Sequence, residues 1–276
     1  MLKPLTSLLW YLREDSPVVD LTSEILPEID CSAEIISKEK GIIAGLRESE
    51  ELCSHLGLSF NQMTEDGEEV TPGERVAIIE GNAKRILLVE RTILNLLGRM
   101  SGIATITREI VERATSVNPR VRIAATRKTC PGFSFFEKRA VEIGGGLTHR
   151  YSLSDGVLIK DNHVKILGLK EAIERAKKRF HPLRKIEIEV ETIRDAIRAA
   201  ELGADVLMLD NFSPAEVSKT ISILKRKGLR DRVIIEVSGG VTKDNIEEYA
   251  KLDIDVISLG EITRSARILD FSLEIL

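Results

Sequence analysis

The sequence predicts an α/β protein: a first third of antiparallel character, followed by a parallel β/α barrel. Three observations carry this. From residue 122 onward, six short apolar stretches (Arg122–Thr126, Val157–Lys160, Lys185–Glu191, Asp205–Asp210, Arg232–Ser238 and Asp255–Gly260) are separated by helical patterns at 134–143, 167–180, 192–202, 213–228 and 242–251. Strand alternating with helix is the pattern of parallel βαβ units. Second, the stretches end in Arg127-Lys128, Lys160-Asp161-Asn162-His163, Glu189-Val190-Glu191, Asp210-Asn211, Ser238-Gly239-Gly240 and Gly260-Glu261. Polar residues and glycines at strand C-termini are what the active face of a barrel enzyme requires. Third, neither GxGxxG nor GxxxxGK(S/T) occurs, which leaves an open nucleotide-binding sheet without its usual loops.

Taken in order, residues 5–14 read as a short helix, and Asp20, Thr22 or Ser23 as a helix-capping group. Ala33–Ser37 and Ile42–Ala44 are expected as strands around the turn Lys40-Gly41, and Glu48–Leu56 as a helix ended by Gly57. Strands at Ser59–Thr64 and Arg75–Glu80 follow, with turns at Asp66-Gly67 and Thr71-Pro72-Gly73. Residues 84–114 form one long helix, in which Ile86, Val89, Ile93, Leu97, Met100 and Ile103 make a continuous apolar stripe. Gly98 and Gly102, one turn apart, would let another backbone approach it closely, at about 1 kcal/mol per glycine in helix propensity. Arg91 lies off the stripe beside Glu90, where an i,i+4-type surface pairing is the ordinary role of an arginine.

Composition narrows the function classes. The 276 residues are 43% hydrophobic and 30% charged, the balance of a soluble globular protein large enough for a full core. A net charge of −4 argues against general nucleic-acid binding, so basic residues matter where they are focused locally. Cys31, Cys53 and Cys130 show no disulfide or zinc spacing, which fits a reducing, cytoplasmic setting without cysteine-based metal binding. The N-terminal apolar patch is cut short by Arg13, Glu14 and Asp15, too early for a signal or membrane helix.

The chemistry concentrates between residues 122 and 163. Arg127, Lys128, Arg150 and Lys160, with His149 and His163, sit where strands and turns end, so a parallel fold could converge them on one anionic ligand. In KIEIEVE (185–191), Ile186, Ile188 and Val190 face one way and Glu187, Glu189 and Glu191 the other. Carboxylates inside a barrel need cationic or metal partners, for which Lys128 and Lys160 are candidates. Glu189 and Asp210 offer hard oxygen ligands for Mg²⁺ or for ribose hydroxyls. Ser238-Gly239-Gly240 and Gly260 suit a phosphate cradled by backbone N–H groups, although ordinary tight turns explain them equally well. These residues point to a barrel enzyme for an anionic, phosphate-bearing substrate and leave the reaction open.

Seven segments extend the reading: ERTILNLLGRMSGIAT (90–105), TRKTCPG (126–132), GGGLTHR (144–150), LIKDNH (158–163), IEVE (188–191), LDN (209–211) and SGG (238–240). In this order they resemble the quinolinate phosphoribosyltransferases, type II phosphoribosyltransferases. The resemblance implies an N-terminal α/β sandwich domain over 1–104, with 264–276 returning to it, and an incomplete, open α/β barrel over 105–263. It implies a homodimer or higher homo-oligomer, and a reaction joining quinolinate to phosphoribosyl pyrophosphate with Mg²⁺ to give nicotinate mononucleotide, pyrophosphate and CO₂. By that resemblance, Arg127, His149 and Arg150 hold the quinolinate carboxylates, with Arg91 crossing the interface from the other subunit. Lys128 and Lys160 neutralise carboxylate and pyrophosphate charge. Glu189 and Asp210 hold ribose hydroxyls and metal, directly or through water, while Ser238, Gly239, Gly240 and Gly260 bind the 5′-phosphate. Lys128, Lys160, Glu189 and Asp210 form the catalytic set.

Two places depart from the family pattern. Pro17-Val18-Val19-Asp20 stands where the family often has a glycine-containing stretch, and EITRSA (261–266) puts Arg264 where it often has His. Competing readings are a paralogue associated with molybdate transport, which typically lacks the KDNH run, a phosphoribosyltransferase for nicotinate without decarboxylation, a Schiff-base aldolase using Lys160, and a non-catalytic phosphate-binding subunit.

Overall fold

The structure is a computed structural model that describes residues 4–276; Met1–Lys3, the start of the expected first domain, lie outside the described residues. Two compact units emerge. One contains the chain up to Arg108 together with Thr129–Gly145 and Ile262–Leu276, and the other contains Glu109–Lys128 and Gly146–Glu261. Thr129–Gly145 thus groups with the first unit, whereas the sequence reading assigned it to the span 105–263.

The first unit begins with α1 (Pro4–Asp15), β1 (Asp30–Ser37), β2 (Gly41–Ile42), α2 (Leu46–His55), β3 (Ser59–Gln62), β4 (Glu69–Val70) and β5 (Arg75–Asn82). The division falls within the next helix, α3 (Ala83–Val117). The second unit contributes β6 (Arg122–Ala124), the first α4 (Ser134–Ile143), and the second again β7 (Val157–Ile159), α5 (Asp161–Leu167), α6 (Leu169–Arg179), β8 (Ile186–Val190), α7 (Ile193–Glu201), β9 (Val206–Asp210), α8 (Pro214–Arg226), β10 (Ile234–Ser238), α9 (Ile246–Ala250) and β11 (Val256–Ser258). Then α10 (Glu261–Arg264) crosses the division and β12 (Phe271–Ile275) ends in the first unit.

In the first unit an antiparallel sheet runs β12-β1-β5-β3. The segments on either side of Lys40-Gly41 do not pair with each other: β1 pairs with β5 and β12, while β2 pairs with β4. The cause is a close approach to α3. Ile42 donates its N–H to Thr105 Oγ1 (2.8 Å), and a Cβ on Gly41 would lie 2.7 Å from that oxygen. The apolar stripe of α3 from Ile86 to Ile103 is completely buried. Its two glycines receive the returning chain: Leu269 donates to the Gly98 carbonyl (3.1 Å), and a Cβ on Gly102 would collide with the Arg267 carbonyl.

In the second unit all strands are parallel, in the order β6-β11-β10-β9-β8-β7. Consecutive β6 and β7 therefore occupy opposite edges, and the barrel is open between them. Leu147 extends the β6 edge by a single parallel bridge to Ala124. Two helical expectations change. The residues between the strand expected at Val157–Lys160 and the helical pattern at 167–180 are themselves helical: Asp161-Asn162-His163 form the first turn of α5, and Gly168 (φ 76°) separates it from α6. The helix expected at 242–251 shrinks to α9, because Asn245 Oδ1 accepts the Thr242 N–H and holds a turn in front of it.

Candidate active site

Strand alternation in the second unit decides which side chains meet. Ile186, Ile188 and Val190 of β8 are buried, and β8 packs with α6 and α7. Glu187 and Glu189 face the other way, into the barrel. In register beside them stand Leu158 opposite Glu187, Met208 opposite Glu189 and Glu236, and Asp210 opposite Ser238. Lys160, one residue past β7, reaches Glu189 Oε2 at 3.0 Å. Glu191, the third carboxylate of the run, is exposed beyond the strand end.

Asp210 ends β9. Burial raises its pKa, and repulsion from Glu189 and Glu191 adds to the rise, while Lys128 and Lys160 pull it down. The side chain of Lys128 covers Gly260, where a Cβ would lie 2.9 Å from Lys128 Cδ. Two carboxylates on the neighbouring strands β8 and β9 and two lysines, after β6 and β7, therefore share the C-terminal ends of the strands, with a lysine to either side of the carboxylate pair. A hard cation beside Glu189 and Asp210 would relieve the repulsion felt by Asp210, so these residues fit Mg²⁺.

Arg127, Arg150, Lys160 and His163 line one cavity of ≈ 670 Å³ in this unit, whose wall continues to Arg175 and Arg184. Arg150 gives Nη1 to the Gly156 carbonyl (3.3 Å), while its buried Nε has no hydrogen-bond partner among the described residues. A guanidinium with an unused, desolvated donor is a ready carboxylate receptor. His163 has a local duty: its Nδ1 accepts the Lys160 N–H (3.0 Å) and so fastens the first turn of α5.

His149 sits two residues past the Leu147 bridge with φ 53°, a left-handed conformation uncommon for a residue with a Cβ. Its Nδ1 accepts the Arg150 N–H (2.8 Å). Its Nε2 lies 3.3 Å from Glu236 Oε2 and 3.4 Å from Glu187 Oε1. Burial works against a charged ring, but hydrogen bonding to Glu187 and Glu236 outweighs it and raises the pKa to about 9. Glu187 and Glu236 are 8% and 3% exposed. Sequence reasoning placed Glu187 inside the barrel without naming it as a site residue, and it missed Glu236. The signal for Glu236 was the same alternation, since Ile235 and Val237 on either side are completely buried.

After β10 the chain turns sharply. Gly239 and Gly240 have φ of 75° and 67°, and Asn211 beside them has φ 58°. Asn211 donates its N–H to the Ser238 carbonyl (2.8 Å) and its amide to Asp210 Oδ2 (2.7 Å). A Cβ on Gly239 would overlap the Asn211 and Asp210 side chains, whereas one on Gly240 would meet open space. Consecutive left-handed glycines expose their N–H groups in a concavity of the kind that holds phosphate.

Arg91 belongs to the first unit. It is 61% exposed on α3, with Glu90 at 3.6 Å. Arg264 lines another cavity of that unit, of ≈ 680 Å³, with Tyr11, Asn95 and Arg99. The cysteines are free; Cys53 is buried, and burial pushes its thiol up to about 12. No helix among the described residues is long and apolar enough to cross a membrane.

Family models describe both halves of the chain. Residues 20–101 match the quinolinate phosphoribosyl transferase N-terminal domain, and residues 103–274 match the C-terminal domain. The "probable nicotinate-nucleotide pyrophosphorylase (carboxylating)" of Methanothermobacter thermautotrophicus is 48% identical over 96% of this chain and 96% of its own. That of Archaeoglobus fulgidus is 49% identical over 94% and 99%. Among solved structures, NadC from Streptococcus pyogenes superposes with a TM-score of 0.91 at 34% identity, covering 100% of this chain and 99% of that one. An open parallel barrel with carboxylates and cations at its strand ends, matched in both halves and along nearly its whole length, places the chain in the quinolinate phosphoribosyl transferase family.

Proposed function

We infer that this chain transfers the phosphoribosyl group of phosphoribosyl pyrophosphate to quinolinate, releasing pyrophosphate and CO₂ and leaving nicotinate mononucleotide for NAD synthesis. The observation that carries it is the single cavity in which Arg127, Arg150 and Lys160 meet, next to the carboxylate pair Glu189 and Asp210. Quinolinate is a dianion, and the two arginines offer bidentate donors to its carboxylates. Arg91 is 61% exposed and would complete the same pocket in a second copy of the chain, in a cytoplasmic homodimer.

The roles follow from where charge develops. As pyrophosphate leaves, the ribose C1 becomes oxocarbenium-like, and carboxylates near the sugar stabilise it while lysines stabilise the leaving group. Glu189 and Asp210 take the first role, and Lys128 and Lys160 the second. Glu189 and Asp210 would hold Mg²⁺, directly or through water, and the ion would supply countercharge to the pyrophosphate. The glycine turn after Ser238, with Gly260, receives the 5′-phosphate. Once the ring nitrogen is alkylated, it is the electron sink for loss of the adjacent carboxylate, so decarboxylation needs no further cofactor. Arg127 and Arg150 hold the ring in place for that step.

The test is direct. Purified protein is incubated with phosphoribosyl pyrophosphate, Mg²⁺ and either quinolinate or nicotinate, and nicotinate mononucleotide and CO₂ are followed. Product from quinolinate alone is expected. Product from nicotinate alone would move the chain to the non-decarboxylating reaction, and binding without turnover would make it a ligand-binding relative. In the Arg127→Ala variant, turnover of quinolinate should fall at least about 100-fold, the loss expected for a bidentate charged contact.

A further inference from the structure

The residues Glu187 and Glu236 have no place in the reaction as derived, yet they are the most deeply held carboxylates in the barrel interior. Each is more than nine-tenths buried, and Glu236 Oε1 has no hydrogen-bond partner among the described residues. Burying two carboxylates together is expensive, and barrels ordinarily fill such positions with Val, Ile or Leu. What they share is His149: its Nε2 points between them at 3.3 and 3.4 Å.

The other ring nitrogen explains why this matters for the site. Nδ1 accepts the N–H of Arg150, the next residue, at 2.8 Å. That bond requires Nδ1 to carry no proton, which an acceptor pair on the Nε2 side enforces by demanding Nε2–H. The bond closes a tight loop over a residue with φ 53°, a conformation that persists only where its surroundings over-determine it. Arg150, whose backbone is fixed by that loop, carries the buried Nε that has no hydrogen-bond partner among the described residues.

We propose that Glu187 and Glu236 are positioning residues that act on the substrate through His149: by fixing its Nε2–H tautomer they hold the left-handed turn that aims Arg150 at a substrate carboxylate. This rests on the quinolinate reading for the identity of the carboxylate, but the tautomer does not. The imidazole is then a strut with both nitrogens engaged inside the protein, and Arg150 is the group that meets the ligand. Changing either glutamate to glutamine keeps the shape but offers an NH₂ to Nε2. The ring can then adopt the Nδ1–H form, which sets a donor against the Arg150 N–H.

Nitrogen-15 NMR of histidine-labelled wild-type protein at pH 10, above the His149 pKa of about 9, reads the tautomer of the neutral ring directly. The expected result is a His149 ring, assigned by its absence in His149→Asn, protonated at Nε2 and not at Nδ1. Steady-state kinetics of Glu187→Gln, Glu236→Gln and the double variant at the same pH then read the consequence. KM for quinolinate should rise about tenfold or more in the double variant, while KM for phosphoribosyl pyrophosphate moves less than about twofold. A ring protonated at Nδ1 in the wild type would overturn the proposal, as would equal changes in both KM values. Displacement of the Nε2 proton by stoichiometric Zn²⁺ would overturn it too, by making the three groups a cation site. Absence of turnover from quinolinate in the wild type would sink the functional reading while leaving the tautomer result standing.

Discussion

Replacing Arg99 by Met should destabilise the protein severely, and the structure says by how much. Arg99 lies in the middle of α3, and its guanidinium gives Nε and Nη2 to Glu137 Oε1 of α4 at 3.2 and 2.6 Å. It also donates to the carbonyls of Ala266 (3.0 Å) and Thr263, both in the returning C-terminal segment. Glu137 is fully buried, and its other oxygen accepts the Cys130 N–H at 3.0 Å. Removing the guanidinium takes this arginine's charge away from a buried carboxylate, a loss of roughly 3–5 kcal/mol. For a chain of this length that corresponds to a fall in melting temperature on the order of 10 °C. The assay is urea and thermal unfolding of wild type, Arg99→Met, Glu137→Leu and the double variant. Both single variants should lose stability, and the double should regain at least half, because replacing a whole buried pair by apolar side chains is near neutral. A melting temperature within about 2 °C of wild type for Arg99→Met would refute the reasoning, since the guanidinium would then contribute little to holding Glu137 in the interior.

Three further outcomes follow from the geometry. Gly102→Ala places a methyl against the Arg267 backbone carbonyl, so the urea midpoint should fall by an amount worth about 1–3 kcal/mol, despite alanine's better helix propensity. Gly239→Ala forces a side chain onto φ 75° and into Asn211 and Asp210, and KM for phosphoribosyl pyrophosphate should rise about tenfold or more with little change for quinolinate, measured by steady-state kinetics. The His149 pKa is raised, from 6.5 to about 9, so its contribution to stability is complete below pH 6.5 and is lost as pH rises through 9. Wild-type stability should accordingly drop by roughly 2–3 kcal/mol more than that of His149→Asn between pH 6 and pH 10, and parallel curves in denaturant titrations would contradict it.

Legibility varied with the range of the interaction. The six barrel strands and the long helix were readable because each is a local periodic pattern, and their C-terminal residues could be paired with an active face by topology alone. Gly98 and Gly102 announced a close backbone approach, but not that residues 267–269 would supply it, since nothing local in Arg267-Ile268-Leu269 names its partner. β2 was misassigned to the company of β1 for the same reason: Thr105, some sixty residues on, takes its N–H. The run Lys160-Asp161-Asn162-His163 read as the polar end of a strand, with no helix expected before residue 167. Its polarity is that of a helix first turn, where Asp and Asn satisfy free N–H groups and the helix dipole favours negative charge.

The site shows the same division between what a residue type announces and what a fold makes of it. Lys160 and Glu189 were candidates as an ion pair because both sit at strand ends, and neighbouring parallel strands bring them to 3.0 Å. His149 announced itself as a histidine beside an arginine, and the expectation was that its ring would face the ligand. The structure engages both ring nitrogens within the protein, one with Arg150 and one with two glutamates that come from strands β8 and β10. No one-dimensional spacing joins residues 149, 187 and 236; the barrel does, by turning alternate residues of separate strands into one interior. Two carboxylates in such an interior weaken the fold unless something requires them. Their only shared neighbour among these bonds fixes the backbone of the arginine that lines the anion cavity. Glu187 and Glu236 are therefore better understood as part of the substrate site, one bond removed, than as structural ion pairs. The reason is energetic: apolar side chains at those two positions would give a more stable barrel and a freely tautomerising histidine.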